Sequence, residues 1–426
     1  MLFTGTVFLG CALVGLGGAL QIPKAPANSH MDVNIIAEAF VVTVIGGMGS
    51  VPGAFLAAVL IGLLQAFGIL IFPKITLVLV FLDAGGGARR APLGARWARL
   101  EPELRGEAAL MVLLRPWDRT MTFLAIGALV ALAAFPLVAD AFALKLGIEV
   151  MVFALFALSL NLLLGHGGVI SFGHAAWFGI GAYASALVLR HAGAPMELAL
   201  LAAPIIAGLC AFAAGWFIVR LSGVYLAMLT LAVAQLAYAI AFQWVEVTGG
   251  DNGLIGIWPS DWASGRLVYY YLTLVLTGIA AAFLIRLVFT PFGHGLRAAR
   301  DSALRAESIG IDVRKQRLVA FAIAGAAAGL AGGLYVFSKG NIDPSVLAIP
   351  TSVDALTMAL LGGIQTVTGP LLGAAGLHLL KDFVMPLTDY WRTLLGLTII
   401  ALVLLFPAGI AGTLRNLLSR REGGAS

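Results

Sequence analysis

Apolar residues run through this chain in long uninterrupted blocks. Several reach about 20 residues, the length at which a helix crosses about 30 Å of hydrocarbon. The blocks predict spans at Thr120–Leu137, Phe142–Leu164, Trp177–Val188, Leu198–Phe217 and Val224–Phe242. Further spans follow at Tyr269–Phe289, Arg317–Phe337, Val353–Ile364, Gly369–Phe383 and Leu394–Phe406. Some of these are short enough to be broken or re-entrant. Ahead of them lies a smaller apolar group, Leu2–Leu20, Ile35–Ile45 and Gly53–Phe72, interrupted by a polar excursion at Gln21–Asn34. A fourth run in that group, Ile75–Leu82, is too short to span.

The small group repeats part of the large one. Ala39–Leu64 returns 316 residues later as Ala355–Leu380, with nine of 26 aligned positions identical, Gly46/Gly362, Gly47/Gly363 and Gly53/Gly369 among them. Each copy follows an acidic residue, Glu38 or Asp354, and each is preceded by a glycine-rich apolar helix, Gly15–Leu20 or Gly329–Leu334. Repetition of apolar units is a transporter signature. Pairing Gly15 with Gly329 aligns Met1 with Lys315, so the first unit starts after the long basic loop of the second and stops within its last helix. The expected organisation is a truncated permease-like unit at 1–82, a linker at 83–110 and a full membrane domain at 111–426. The linker is rich in Gly, Ala and Arg and has no helical period. It reads either as a flexible cytosolic connection or as a segment translated out of frame between two joined genes.

Composition fixes the solvent. Hydrophobic residues make up 61% of the chain and charged ones 11%, with a mean hydropathy of +1.00. A soluble surface could not be covered from that stock. The expected fold class is therefore all-α, a polytopic transmembrane helical bundle with broken or re-entrant helices. The first 20 residues lack a basic leading region and a small-residue cleavage site, so a cleaved signal peptide is not expected. Cys11 and Cys210 lie in apolar runs and read as small buried hydrophobes. The net charge of +5 is an orientation signal and does not point to nucleic acid. Arg115 and Arg119, the cluster Arg297, Arg300, Arg305, Arg314, Lys315 and Arg317, and Arg415, Arg420 and Arg421 all belong in the cytoplasm, which places the C-terminus there.

No catalytic residues and no metal-ligating cluster emerge: P-loop, HExxH, GxSxG and Cys/His spacings are all missing. Four segments are more than membrane filler. Gly165–Tyr183 carries six glycines between two apolar helices. Small residues allow backbones to unwind or approach, and freed backbone at membrane depth must line a cavity or be buried. It reads as substrate path or as a tight packing turn, with Gly165, Gly167, Ser171, Gly173, His174 and Tyr183 as path candidates. His166 and His174 read as hydrogen-bonded gap-fillers. In Leu221–Gln235, Thr230 and Gln235 are polar within an apolar helix and suit either interhelical bonding or substrate contact. Glu246–Gly256 has the glycine and Asx content of turns and falls on the outer side, as a mouth loop or an ordinary turn. Pro291–Asp312 is a basic loop with an expected short helix at Asp301–Ile309 ended by Gly310. There Leu304 and Ile309 could dock while Arg305 and Glu307 face water. Thr351–Asp354 has a capping-box pattern, so Asp354 reads as a cap or as transport chemistry, and Lys381 and Asp382 as snorkelling groups.

Taken together, GHGGVISFGHAAWFGIGAY, LSGVYLAMLTLAVAQ, VTGGDNGLIGI and PFGHGLRAARDSALRAESIGIDV resemble LivM-type permease subunits of branched-chain amino-acid ABC importers over roughly Met111–Arg421. AEAFVVTVIGGMGSVPGA in the first unit resembles the C-terminal part of the partner permease, LivH. The resemblance implies a non-enzymatic, multi-pass subunit of the bacterial inner membrane. It also implies a LivH-like second permease, two ATPase subunits that hydrolyse ATP, a periplasmic binding protein and no cofactor on this chain. It implies an ATPase-coupling role for Arg297, Ala298, Glu307 and Gly310. A urea or short-amide importer remains open within the class, and an ion-coupled secondary transporter outside it.

Overall fold

The computed structural model describes residues 2–21, 51–71, 119–364, 366–386 and 391–405, with isolated positions 35, 39, 42, 43, 409 and 411–413. The expected linker 83–110, the first repeat's Glu38, Gly46 and Gly47, the run Ile75–Leu82, and Arg115, Arg415, Arg420 and Arg421 lie outside these.

Two helices represent the first unit, α1 (Leu2–Gln21) and α2 (Val51–Ile71). The large unit contributes α3 (Arg119–Ala134), α4 (Ala141–Asn161), α5 (Ala175–Ala192), α6 (Met196–Ile218), α7 (Val224–Gln243) and α8 (Arg266–Val288). After these come α9 (Pro291–Asp301), α10 (Ala303–Ser308), α11 (Val313–Lys339), α12 (Ile349–Gly362), α13 (Gly369–Val384) and α14 (Trp391–Leu405). Among the described residues, five helices are long and apolar enough to cross a membrane: Ala141–His166, Met196–Ile218, Tyr225–Gln243, Arg266–Val288 and Val313–Lys339. The protein is a multi-pass, all-α membrane protein. Every expected span of the large unit coincides with a helix. The short ones, α12 and α13, have 14 and 16 residues. At 1.5 Å per residue they are about 21 Å and about 24 Å long, and they pair as a hairpin.

Local chemistry sets the helix ends. Asp140 caps α4, its Oδ1 accepting from the Ala143 N–H at 2.8 Å, and Asp312 caps α11 through the Lys315 N–H at 3.1 Å. α4 closes in a π-turn, Leu162–His166, of the kind found at functional sites. The loop Glu246–Gly256 is pinned by two short antiparallel strands, β1 (Leu254–Ile255) and β2 (Asn341–Ile342), paired Leu254 to Ile342.

The core is built on small residues. α6 buries Ala199, Ala203, Ala207 and Ala211 completely while Leu201, Ile205, Leu209 and Trp216 are exposed. Large side chains thus face outward, as suits lipid, and the helix backbones touch inward. Facing that stripe, α11 presents Gly325, Gly329 and Gly333. A Cβ on Gly325 would overlap the Ala211 side chain, and one on Gly329 the Ala207 side chain. On its other side a Cβ on Gly332 would overlap the Phe178 carbonyl of α5, and one on Gly181 of α5 the backbone of Gly329. The first copy of this glycine-rich helix packs differently: nothing lies within 4 Å of a Cβ built on Gly15, Gly17 or Gly18. Among the described residues, the packing of this helix is therefore not repeated. Cys11 and Cys210, expected to be buried, are both exposed. Lipid supplies the apolar surroundings that were assigned to a protein core.

Gly332→Ala forces a methyl against backbone and is expected to cost about 1–3 kcal/mol. Gly17→Ala, in open space, is expected to change stability by no more than about 0.5 kcal/mol. Thermal unfolding of the two variants in lipid nanodiscs measures the difference.

Candidate functional site

Two of the path candidates interlock. A Cβ on Gly173 would overlap the Thr230 carbonyl, so the chain before α5 lies directly against α7. The Phe172 N–H donates to Thr230 Oγ1 at 3.1 Å, and that hydroxyl donates to the Ala227 carbonyl at 2.6 Å. His174 is fully buried, hydrogen-bonded to Ser159 Oγ at 2.8 Å and stacked on Phe156. It fills a polar gap, as expected. The imidazole of His166 lies on the π-turn eight residues earlier, and a non-helical stretch separates the two, so they share no helix face. Gly167 is buried and its N–H donates to Leu162 O at 3.1 Å. Ser171 and Tyr183 are buried with hydroxyls that have no hydrogen-bond partner among the described residues, and Gln235 is half-buried.

Gly165 occupies a junction. Its carbonyl accepts from Arg300 Nη1 of α9 at 2.6 Å. A Cβ there would overlap the Ile364 carbonyl in the α12–α13 turn. One residue turn earlier, Asn161 Nδ2 donates to the Thr366 carbonyl of the same turn at 3.1 Å. The basic loop, the end of α4 and the tip of the hairpin therefore meet at one glycine.

That loop is two helices where one was expected. Ser302 is extended (φ −161°, ψ 105°), which ends α9, and its hydroxyl caps α10. Gly310 closes α10 at φ +88°, a conformation other residues rarely adopt. The four coupling candidates split accordingly. Arg297 is buried; it donates to the Val288 carbonyl at the end of α8 and lies over the Phe289 ring. Burial, with Arg300 beside it, lowers its pKa from the ordinary value. Ala298 is half-buried, while Glu307 and Gly310 are exposed. Leu304 and Ile309 are 77% and 75% exposed, an apolar pair on a water-facing loop.

A cavity lies elsewhere, at the end of the bundle away from this loop. It measures about 470 Å³ and is lined by α4, α11, α12 and α13, within the roughly 300–1,000 Å³ of ligand pockets. Two ion pairs face it. Lys339 Nζ lies 3.0 Å from Glu149 Oε2, and Lys381 Nζ lies 2.7 Å from Asp354 Oδ2. Between them stand Tyr335, Phe153 and His378: Lys339 sits over the Tyr335 ring, Tyr335 meets Phe153 edge-on, and Phe153 meets His378 at 4.7 Å. None of the eight path candidates lines this cavity. The capping expectation for Asp354 is corrected here, because α12 begins at Ile349 and Asp354 falls inside it. Lys381, read as a snorkelling group, pairs its ammonium with Asp354. Charged residues inside apolar segments were the available signal for Glu149 and Lys339, and sequence reading passed over both.

The family described as branched-chain amino acid transport system / permease component matches residues 142–403. The chain belongs to this family. It is 26% identical over 328 residues to the high-affinity branched-chain amino acid transport system permease protein LivM of Escherichia coli K12, covering 70% of this chain and 76% of that protein. It is also 26% identical over 285 residues to LivH of the same strain, covering 61% of this chain and 91% of that protein. A likeness of that extent cannot be confined to residues 1–82, so it marks the kinship of the two permeases and does not assign the first unit to LivH. The probable LivH of Methanocaldococcus jannaschii is 30% identical over 165 residues, 36% of this chain and 52% of that protein. No solved structure matches the chain. The ion-paired cavity and the basic loop both lie inside the stretch that defines this permease family.

Arg297→Ala leaves a buried carbonyl without its donor and is expected to destabilise the protein by about 1–3 kcal/mol. Glu307→Ala is expected to stay within about 0.5 kcal/mol. Thermal unfolding separates a positioning arginine from a surface carboxylate.

Proposed function

We propose that the chain is the LivM-type permease subunit of an ATP-driven ABC importer for branched-chain, hydrophobic amino acids. The family match over residues 142–403 carries this reading, because that stretch holds the helical bundle, the hairpin and the cavity together. The family's reading supplies the other parts: a periplasmic binding protein delivers the substrate, and a LivH-like permease completes the pore. Two ATPase subunits hydrolyse ATP, and this chain performs no catalysis and holds no cofactor.

The basic loop side is cytoplasmic by the positive-inside rule, which orients the chain in the inner membrane with its C-terminus in the cytoplasm. Exposed Leu304 and Ile309, on the same short helix region as Glu307 and Gly310, support α10 as the surface that a partner groove receives. Arg297 then acts by holding α9 to α8, and Ala298 by packing beneath it. For the path, the unpartnered hydroxyls of Ser171 and Tyr183 support a role in a water-containing conformation, since such groups are costly at membrane depth. The first unit, 1–82, is a LivH-like fragment, joined through a flexible or out-of-frame 83–110.

In vesicles holding the binding protein, the ATPases and the partner permease, leucine uptake is expected to require ATP hydrolysis. Uptake driven by an ion gradient alone would overturn the ABC reading, and uptake of urea in place of leucine would overturn the substrate. Leu304→Asp combined with Ile309→Asp is expected to abolish uptake and ATPase association with thermal stability unchanged.

A chain shortened to Met111–Ser426 is expected to give full uptake. Loss of uptake on that truncation would show that the first unit is required.

A further inference from the structure

The cavity's lining suggests what it holds. Six charged side chains line it, Lys145, Glu149, Lys339, Asp354, Lys381 and Asp382; charges in a membrane domain are costly unless paired, and such groups are functional by default. Four of them sit as two neutral pairs, with an aromatic wall of Phe153, Phe178 and Tyr335 between and beside them. A neutral amide would gain little from such a lining. A zwitterion with an apolar side chain gains at each end and in the middle.

The two pairs are not equivalent. Glu149 and Lys339 are 27% and 26% exposed, and Lys339 is also held over the Tyr335 ring. Asp354 is 41% exposed, and its pair with Lys381 joins the two arms of the α12–α13 hairpin. Water reaches Asp354 more readily, so its pair is the cheaper one to open.

We propose that this cavity is a zwitterion-binding station on the transport route. The α-ammonium of an amino acid pairs with Asp354 and its α-carboxylate with Lys381, replacing their mutual ion pair. Its branched side chain lies against Phe153, Phe178 and Tyr335. Glu149–Lys339 stays closed and forms the charged wall behind. The exchange conserves charge, so the amino acid leaves water without leaving Asp354 or Lys381 unpaired. Because each arm of the hairpin contributes one charge, occupancy also separates the arms. This assignment rests on the amino-acid permease reading and adds the residues that meet the substrate.

The test uses the complete importer reconstituted in proteoliposomes. The double variant Asp354→Asn with Lys381→Met removes both charges at once, so no unpaired ion remains to destabilise the fold. It is expected to keep wild-type thermal stability and assembly with the partner subunits. Leucine uptake is expected to fall about 10- to 100-fold, the loss of charge-assisted bonds to the substrate. A purely structural pair predicts uptake within about twofold of wild type, and that result would overturn the proposal. Binding is read separately with Ser345→Cys, an exposed position on the cavity rim, in a chain whose Cys11 and Cys210 are replaced by serine. L-Leucine is expected to slow maleimide labelling of that cysteine. Absence of protection in a variant that still imports leucine would overturn the proposal. Protection without ATP-dependent uptake by the wild-type importer would instead overturn the importer reading and leave the binding station standing.

Discussion

Helices in hydrocarbon gain nothing from hiding apolar side chains from one another, because lipid is as apolar as leucine. What holds them is close contact between backbones, and only small residues allow it. The Ala199–Ala211 stripe of α6 against Gly325, Gly329 and Gly333 of α11 is that contact. Gly332 does the same for α5. Everything else hangs from this three-helix seam. It sets Phe178 of α5 against Tyr335 of α11 at 5.4 Å, and those rings form the cavity wall.

A second constraint links the two ends of the molecule. Arg300 of the basic loop bonds the Gly165 carbonyl, and the same region of α4 holds the turn of the α12–α13 hairpin through Asn161. The hairpin's other end carries Asp354 and Lys381. Loop, glycine and hairpin are thus in continuous contact from the basic loop to the ion-paired cavity. A displacement of α9 has no slack to absorb it at Gly165, where even a methyl group would collide with the hairpin.

Much of this was legible in the chain. Apolar runs located the helices of the large unit because hydrocarbon thickness imposes their length. The basic loop stood out because a polar, basic stretch between spans has to lie outside the membrane. The cavity did not stand out. Glu149, Lys339, Asp354 and Lys381 come from four helices, and the first and last of them lie 232 positions apart. No local pattern ties them together. The glycine-rich Gly165–Tyr183 drew attention in their place, and in this conformation its residues are packed against neighbours.

The sequence by itself determined the solvent, the helix positions, the charge asymmetry and the family, since each depends on composition, run length or motifs within short windows. Tertiary structure decided which charges pair and which glycines matter. Gly329 is crowded while its repeat partner Gly15 faces open space, although the flanking sequences are alike. The difference lies in the partner helix opposite, and a partner distant in sequence is set by packing alone.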